Sequence, residues 1–513
     1  MAMTLATLCA PWPDLEILGD GGVPIAAVVE DSRRAGPGTL FVAVAGHGAD
    51  GHAFVAQAVA AGAAAVAVDR SRLDDSRAAL LEPRPAAWVA ASCTRGLPAR
   101  LARECEGRPD TLLTMVGVTG TNGKTTTSFL IQELLGRLAG PCGLLGTIRY
   151  DDGRERFRAP LTTPGGPELF RWLGRMVRAG CRSASMEISS HALDQDRPGD
   201  LALDVAVLTN LGRDHLDYHG DLARYLAAKT RILELLQAMP RRGKPAGAAV
   251  INAGDPALGS LETGALDAVR YATAPDRATG RVDLAVRSAR LALDATRLEL
   301  DWRGRRLAVA SPLVGRFNVE NLTAALGAGL ALGLDPDDCA GALAGVSQVP
   351  GRLERFLLPA GGLAVVDYAH THDALAAVLL ACRELSHRRL GVVFGCGGDR
   401  DRGKRPLMGR VAAELADLVW ITSDNPRSED PATICAEIAA GFDSVSAPRA
   451  AGRTVIVDRT AAISAALAAA REGDVIVVAG KGHEDYQLVQ GRTLHLDDRE
   501  IVGAWIAREG GHA

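Results

Sequence analysis

The run "GVTGTNGKTTT", Gly117 to Thr127, sets a glycine-rich turn between an apolar stretch and three threonines that open a helical pattern. The N–H groups of such a turn, backed by a helix N-terminus, form a nest for phosphate oxygens. Gly120, Thr121, Asn122 and Gly123 make the turn; Lys124 can reach terminal phosphates and Thr125 can offer its hydroxyl to Mg²⁺. Counted from Gly117, five residues precede Gly123, one more than in the common phosphate loop. This points to a nucleoside triphosphate without saying which reaction follows.

"SASMEISSHALDQDRP" places Glu187 after a small, apolar strand-like stretch, where a carboxylate could hold Mg²⁺ near the phosphates. "LTNLGRDHLDYHG" gathers Asn210, Asp214, His215 and Asp217 at the end of another such stretch, and "DLARYLAAKTRIL" sets Lys229 on a helical pattern. Taken singly, each has a plainer reading: a histidine in an Asp-rich turn is more often a cap, and a lone helical lysine is more often solvated. Beside the loop they form a constellation. Farther on, "ITSDNPRSED" puts Arg427 on a proline-fixed turn after the apolar run "ADLVWIT". Its planar guanidinium suits bidentate contact with a carboxylate, although an arginine there can also brace its own loop.

Such groups need rigid edges to hold them. Apolar or β-branched runs alternate with Ala/Leu-rich helical patterns through most of the chain, the pattern of an α/β protein with parallel sheets covered by helices. "AAVAV" near 64, "LLTMVGVTG" at 112, "ALDVAVLTN" at 202, "GLAVVDYAH" at 362, "RLGVVFG" at 389, "DLVWITSDNP" at 417 and "GDVIVVAGKG" at 473 read as strands. Several end in Gly, Asp, Asn or Thr, at the carboxyl edge where open α/β sheets bind ligands. At 513 residues the chain is too long for one core. Charged, Gly/Pro-containing links at "ARECEGRPDT" and "VSQVPGRLERF" divide it into residues 1–107, 108–349 and 350–513. Period-2 alternation across "VDLAVRSARLALDATRLELDWRGRRLAVA" predicts a two-stranded or meander insert.

Composition removes several classes of function. With 57 basic and 61 acidic side chains the formal net charge is −4, so no global basic field attracts nucleic acid or anionic lipid. Nine scattered cysteines, with no CxxC pair and no zinc spacing, read as reduced packing residues. The N-terminus lacks a basic n-region and no apolar run approaches the ~18 residues of a membrane span. A cytoplasmic monomer acting on small molecules is expected.

A family resemblance joins these pieces. "GVTGTNGKTTT", "LTTP", "MEISSHALDQDR", "TNLGRDHLDYHG", "AAKTRI", "GRFNVENLTAA", "VPGRLE", "VDYAHT", "GCGGDRDRGKRP", "DNPR" and "GKGHEDYQ" occur in order from residue 117 to residue 487, and the resemblance extends back to residue 30. The chain resembles the Mur ligases of peptidoglycan synthesis, most closely those that add the third amino acid, and the family's ATP turn reads GTxGKT. The resemblance implies an N-terminal UDP-binding domain, a central P-loop ATPase-like domain with a parallel or mixed sheet, and a C-terminal Rossmann-like domain for the incoming amino acid. It also implies a reaction: ATP phosphorylates the carboxylate of UDP-MurNAc-L-Ala-D-Glu, and the amino group of the third residue displaces phosphate through a tetrahedral intermediate. Another Mur-superfamily ligase, such as folylpolyglutamate synthetase, is the enzymatic alternative, against which "TTP…SSHALDQDR" and "GCGGDRD" argue. A non-catalytic ATP-binding cell-wall scaffold is the other, against which the intact Lys124, Glu187, His215 and Lys229 argue.

Carried over residue by residue, the resemblance implies that Lys124, Thr125 and Thr126 bind ATP phosphates, and that Glu187 and His215 hold metal. Lys229 would be carbamylated (N6-carboxylysine) and help place a second Mg²⁺. Asn318 and Asn321 would meet the adenine side, and Arg352 and Asp367 the ribose and phosphates. Ser32 and His47 would bind uridine and diphosphate, and Thr162, Thr163, Ser189, Gln195 and Arg197 the muramoyl dipeptide. Members adding meso-diaminopimelate carry DNPR, whereas lysine-adding members have a version without arginine. Asp424, Asn425, Pro426 and Arg427 would therefore select the distal carboxylate, Arg400 would take the other carboxylate, and Gly480 and Glu484 the distal ammonium. The chain departs from the pattern at His372, where the family has proline and a looser turn is expected. It departs again at Glu30, where an apolar residue packs near the uracil.

Overall fold

The computed structural model describes residues 3–46, 48–78, 84–212, 214–237, 243–385 and 388–510. The chain divides into two compact units, Met1–Ala285 with Leu322–Ala342, and Val286–Asn321 with Leu343–Ala513.

Two sheets carry the first unit. Glu16–Gly19, Ala87–Ala91, Ala65–Asp69, Thr39–Val42 and Ala27–Val29 lie side by side in that order, parallel except for the first. The larger sheet runs Arg156–Arg158, Arg149–Asp151, Cys142–Leu145, Ser183–Glu187, Thr114–Thr119, Val205–Leu208, Ala248–Asn252, Asp267–Ala272. Its strands from Cys142–Leu145 onward are parallel, and the edge hairpin is antiparallel. Val116, Val118, Ala184, Met186, Val205 and Val207 are fully buried. A parallel sheet covered on both faces has no polar side to show, which is why these runs read as continuously apolar.

The second unit holds a six-stranded sheet in the order Glu354–Leu357, Leu363–Asp367, Val475–Ala479, Leu390–Phe394, Leu418–Ile421, Arg453–Val455, again parallel except for the first strand. Helices His372–Arg383, Lys404–Leu415, Pro431–Asp443 and Arg459–Ala468 connect them. The alternating segment forms an antiparallel hairpin, Thr296–Trp302 with Arg305–Ser311, in which Thr296, Leu298 and Leu300 are buried while Arg297 and Glu299 are exposed. Arg303 and Gly304, at φ +49° and +91°, form its two-residue turn, the left-handed pair that matches strand twist.

His372 does not loosen its turn. It occupies the first position of helix His372–Arg383, with the Thr371 hydroxyl capping Ala374 N at 3.3 Å. Proline is favoured there because the N–H has no helical partner and φ is preset; histidine forgoes that advantage and breaks no bond. All nine cysteines are free thiols and seven are buried, as packing residues are. Among the described residues no helix is long and apolar enough to cross a membrane.

Candidate active site

The glycine-rich turn joins strand Thr114–Thr119 to helix Lys124–Leu138. Gly120 stands at φ +150° and Gly123 at φ +84°, and a Cβ on Gly120 would come within 1.9 Å of Thr209 Oγ1. Gly117 is not part of the turn. It lies within the strand, where a Cβ would be 2.8 Å from the side chains of Ile188 and Leu203, so the extra residue counted from it disappears once the loop is taken from Gly120. The neighbouring strand end braces the turn: Asn122 N donates to Asn210 Oδ1 at 2.8 Å, Thr209 Oγ1 donates to Asn122 O at 2.6 Å, and Gly212 N donates to Thr121 Oγ1 at 2.8 Å. Lys124 folds back over the loop, its Nζ donating to the carbonyls of Gly120 at 2.7 Å and Thr121 at 2.8 Å. Thr126 is buried in the first turn of the helix.

Glu187 ends the adjacent strand and is fully buried. Its Oε2 accepts from Thr125 Oγ1 at 3.0 Å and Thr147 Oγ1 at 3.1 Å, and its Oε1 from Thr147 N at 2.7 Å. The Thr125 hydroxyl and the Glu187 carboxylate are hard oxygen donors in contact with one another. They fit Mg²⁺, which takes few protein ligands and fills its shell with water and phosphate oxygens. Among the described residues no group of three or more His, Cys, Asp or Glu side chains is arranged to hold a metal ion.

Lys229 overturns the plain reading of a helical lysine: it is 2% exposed. Its Nζ donates to Gly120 O at 2.8 Å and lies 4.3 Å from the centre of the Tyr225 ring, one helical turn earlier. Burial, reinforced by the Lys124 ammonium, lowers its pKa to about 6, so the amine is mostly neutral at neutral pH. The Tyr225 hydroxyl lies 3.3 Å from Thr121 Oγ1. His215, half exposed and at φ +52°, packs its ring 4.8 Å from His191 and 6.3 Å from Tyr225. Thr147, Tyr225 and His191 escaped the sequence reading; the signals were a Gly-Thr at a strand's carboxyl end, an i, i+4 aromatic partner and a histidine inside an already suspect motif.

The five residues expected to hold the muramoyl dipeptide lie in one chain of contacts that starts at Glu187. Thr163 Oγ1 donates to Glu187 O at 3.0 Å and accepts from Ser189 N at 3.0 Å, and the Thr162 and Thr147 hydroxyls are 3.0 Å apart. Arg197 donates through Nη1 to Thr163 O at 3.2 Å and through Nε to Gln195 Oε1 at 2.9 Å. Ser32 belongs to the smaller sheet's surroundings, buried, its hydroxyl donating to Gln57 Oε1 at 3.0 Å. His47 lies outside the described residues. The Glu30 carboxylate fills the space where a Cβ on Gly165 would stand, at the N-terminus of helix Gly166–Ala179. Burial pushes the Glu30 pKa up, against the pull of Arg197 and Arg34.

In the second unit, Asn318 Nδ2 donates to Val314 O at 2.8 Å, and Asn321 Nδ2 donates to Asn318 Oδ1 at 3.1 Å. Buried Asp367 accepts from Leu353 N and Ala369 N, at 2.8 and 2.9 Å, and Arg352 stacks 4.6 Å over the Tyr368 ring. Burial pushes the Asp367 pKa up, against the pull of Arg352.

The DNPR stretch leaves strand Leu418–Ile421 at its carboxyl end. Asp424, Asn425 and Pro426 are buried, and Arg427 is half-buried at φ +53°. Arg427 N donates to Leu488 O at 2.9 Å, its carbonyl accepts from Gln490 N at 2.6 Å, and Nη1 donates to Gly398 O at 2.7 Å. One arm of the fork thus braces the loop. Gly397 is flanked by both arginines, since a Cβ there would stand 2.9 Å from Arg427 Nη1 and 3.9 Å from the exposed Arg400's Cγ. On the other side, Asn425 Nδ2 donates to Glu484 Oε2 at 3.1 Å. Burial and the neighbouring Asp424 push the Glu484 pKa up. Beneath Gly480, the buried Arg459 forms a two-point pair with Asp498, both contacts 2.7 Å, and donates to Ser423 O and Ala479 O. It ties two strand ends together.

Three family profiles match the chain in order: "Mur ligase family, catalytic domain" over residues 24–93, "Mur ligase middle domain" over 118–329, and "Mur ligase, glutamate ligase domain" over 351–482. The UDP-N-acetylmuramoyl-L-alanyl-D-glutamate–2,6-diaminopimelate ligase of Solibacter usitatus (strain Ellin6076) is 41% identical over 490 residues, 95% of this chain and 94% of that protein. The chain belongs to the Mur ligase family. The ligase of the same name from Gloeobacter violaceus (strain ATCC 29082 / PCC 7421) is 44% identical to this Mur ligase over 480 residues, 93% of each. A solved structure of a UDP-N-acetylmuramoyl-L-alanyl-D-glutamate–2,6-diaminopimelate ligase superposes on this Mur ligase with a TM-score of 0.71 at 33% identity, covering 99% of this chain and 100% of that one.

Proposed function

We propose that this chain is an ATP-dependent ligase that joins meso-2,6-diaminopimelate to the D-glutamyl carboxylate of UDP-N-acetylmuramoyl-L-alanyl-D-glutamate in the cytoplasm. The observation that carries the acceptor is that one short turn holds a carboxylate suited to an ammonium, Glu484, through Asn425 Nδ2, and two residues on carries an arginine suited to a carboxylate, Arg427. The near-full-length relatives of that name support it.

A carboxylate resists an amine until one oxygen becomes a leaving group, so the γ-phosphoryl group of ATP is first transferred to it, releasing ADP. The amine then attacks the acyl carbon, loses its proton, and phosphate leaves as the amide forms. The loop N–H groups of Gly120–Gly123 would hold the phosphates, with Lys124 exchanging its two carbonyl partners for phosphate oxygens. Thr125 and Glu187 would hold Mg²⁺, which neutralises charge on the phosphates. Lys229, neutral and nucleophilic, would take up CO₂ with loss of a proton, and as N6-carboxylysine become an oxygen ligand beside His215 for a second Mg²⁺. Asn318, Asn321, Arg352 and Asp367 would complete the ATP contacts, and Ser32, His47, Thr162, Thr163, Ser189, Gln195 and Arg197 would hold the nucleotide sugar and its dipeptide. Arg400 would take the second carboxylate of the acceptor and Gly480 would approach its ammonium. The division into residues 1–107, 108–349 and 350–513 and a monomeric state belong to the same reading.

The test is phosphate release, which requires the UDP-dipeptide and meso-diaminopimelate together and falls sharply when L-lysine replaces the latter. Release undiminished by omitting either substrate refutes the ligase reading, and equal use of lysine refutes the acceptor.

A further inference from the structure

Lys481 is fully buried, yet it ends among polar atoms. Its Nζ donates to Asn425 Oδ1 at 3.1 Å and to Tyr486 O at 2.6 Å, and stands 3.5 Å from Asp424 Oδ1. Two of the ammonium's three donors thus have hydrogen-bond acceptors and Asp424 supplies an ion pair; burial lowers the Lys481 pKa, against the pull of Asp424 and Glu484. Asn425 Oδ1 also accepts Leu488 N at 3.0 Å. With both lone-pair directions of Oδ1 engaged, the amide can turn only one way, and Nδ2 faces Glu484. Leu488 in turn pairs through its carbonyl with the Arg427 backbone.

We infer that Lys481 is a positioning residue for acceptor selection: its buried ammonium orients the Asn425 amide, and through that amide sets the places of Glu484 and Arg427. This rests on the acceptor reading above. The lysine is also the cation shared by Asp424 and Glu484. Glu484 is faced by Asp424, Lys481, His370 and Tyr368, with Arg459 beyond Asp424. Removing the Lys481 charge leaves two carboxylates close together in a buried place, so Glu484 holds its proton to higher pH and binds the acceptor's ammonium less well.

Lys481→Met keeps the stem and removes the charge. It should raise KM for meso-diaminopimelate roughly 10- to 100-fold, the equivalent of one charged buried hydrogen bond, and leave KM for ATP and for the UDP-dipeptide within about threefold. The raised acceptor KM should fall again as the pH is raised and Glu484 gives up its proton, and it should do so at higher pH than in the unmutated enzyme. Asn425→Asp keeps the acceptor for Lys481 but turns an oxygen toward Glu484, so it should give the same KM split, and it carries the test if the methionine variant does not fold. The double variant should be no worse than the worse single one. A parallel rise in all three KM values, an unchanged acceptor KM, additive effects or a level pH profile overturns the inference. If the acceptor reading itself fails, the unmutated chain does not use meso-diaminopimelate at all.

Discussion

Lys229 offers a test in which stability and activity move in opposite directions. The unfolded chain keeps the lysine proton up to about pH 10.5, whereas the folded chain releases it at about 6. Between those values the unfolded state binds one more proton, so stability of the unmutated chain rises with pH by ~1.4 kcal/mol per unit. At pH 7, holding the amine neutral costs about 5 kcal/mol. Lys229→Met retains the stem over Tyr225 and loses one hydrogen bond to Gly120 O, worth about 1 kcal/mol, while Lys124 still serves that carbonyl. The variant should therefore be more stable at pH 7 by as much as about 4 kcal/mol, and the advantage should level off at its largest below about pH 6 and vanish toward pH 10. Urea unfolding of the full chain in CO₂-depleted buffer at several pH values measures it. Ligase turnover should fall by at least ~100-fold in the same variant if Lys229 has the metal-holding role proposed for it. A variant that is less stable than the unmutated chain at pH 7, or a stability gap that does not change with pH, refutes the buried neutral amine.

Arg427→Ala should raise KM for meso-diaminopimelate roughly 10- to 100-fold in initial-rate assays and leave KM for ATP unchanged; equal loss for both substrates points to misfolding instead. Gly120→Ala sets a Cβ 1.9 Å from Thr209 Oγ1 on a backbone at φ +150°, so calorimetry should show ATP binding lost and thermal unfolding a loss of about 2 kcal/mol or more. Asp498→Asn strands the buried Arg459 charge and should cost about 3–5 kcal/mol in denaturant unfolding, whereas a loss under ~1 kcal/mol excludes a dry pair there.

Much of the fold was legible because its signals are local. The strand runs ending at Thr119, Leu208, Asp367, Phe394, Ile421 and Ala479 are continuously apolar because parallel strands are covered on both faces, and the hairpin Thr296–Ser311 alternates because one face meets water. The glycine-rich turn was legible for the same reason, since Gly120 and Gly123 meet local demands of backbone angle. Counting from Gly117 misled because packing glycines and loop glycines look alike in a sequence; only Ile188 and Leu203, far along the chain, distinguish them.

By itself, then, the sequence determined the α/β class, the order of the motifs, the glycine-rich turn between strand and helix, and the arginine after Pro426, all properties of residues near one another along the chain. The tertiary structure alone decided that Lys229 is buried with its pKa lowered, that Thr147 shares Glu187 with Thr125, and that Lys481 holds Asn425. Those depend on which strand ends and loops meet, and on how much water their meeting removes. A lysine's charge is set by what surrounds it in space, and its neighbours in sequence are the same whether it is solvated or sealed.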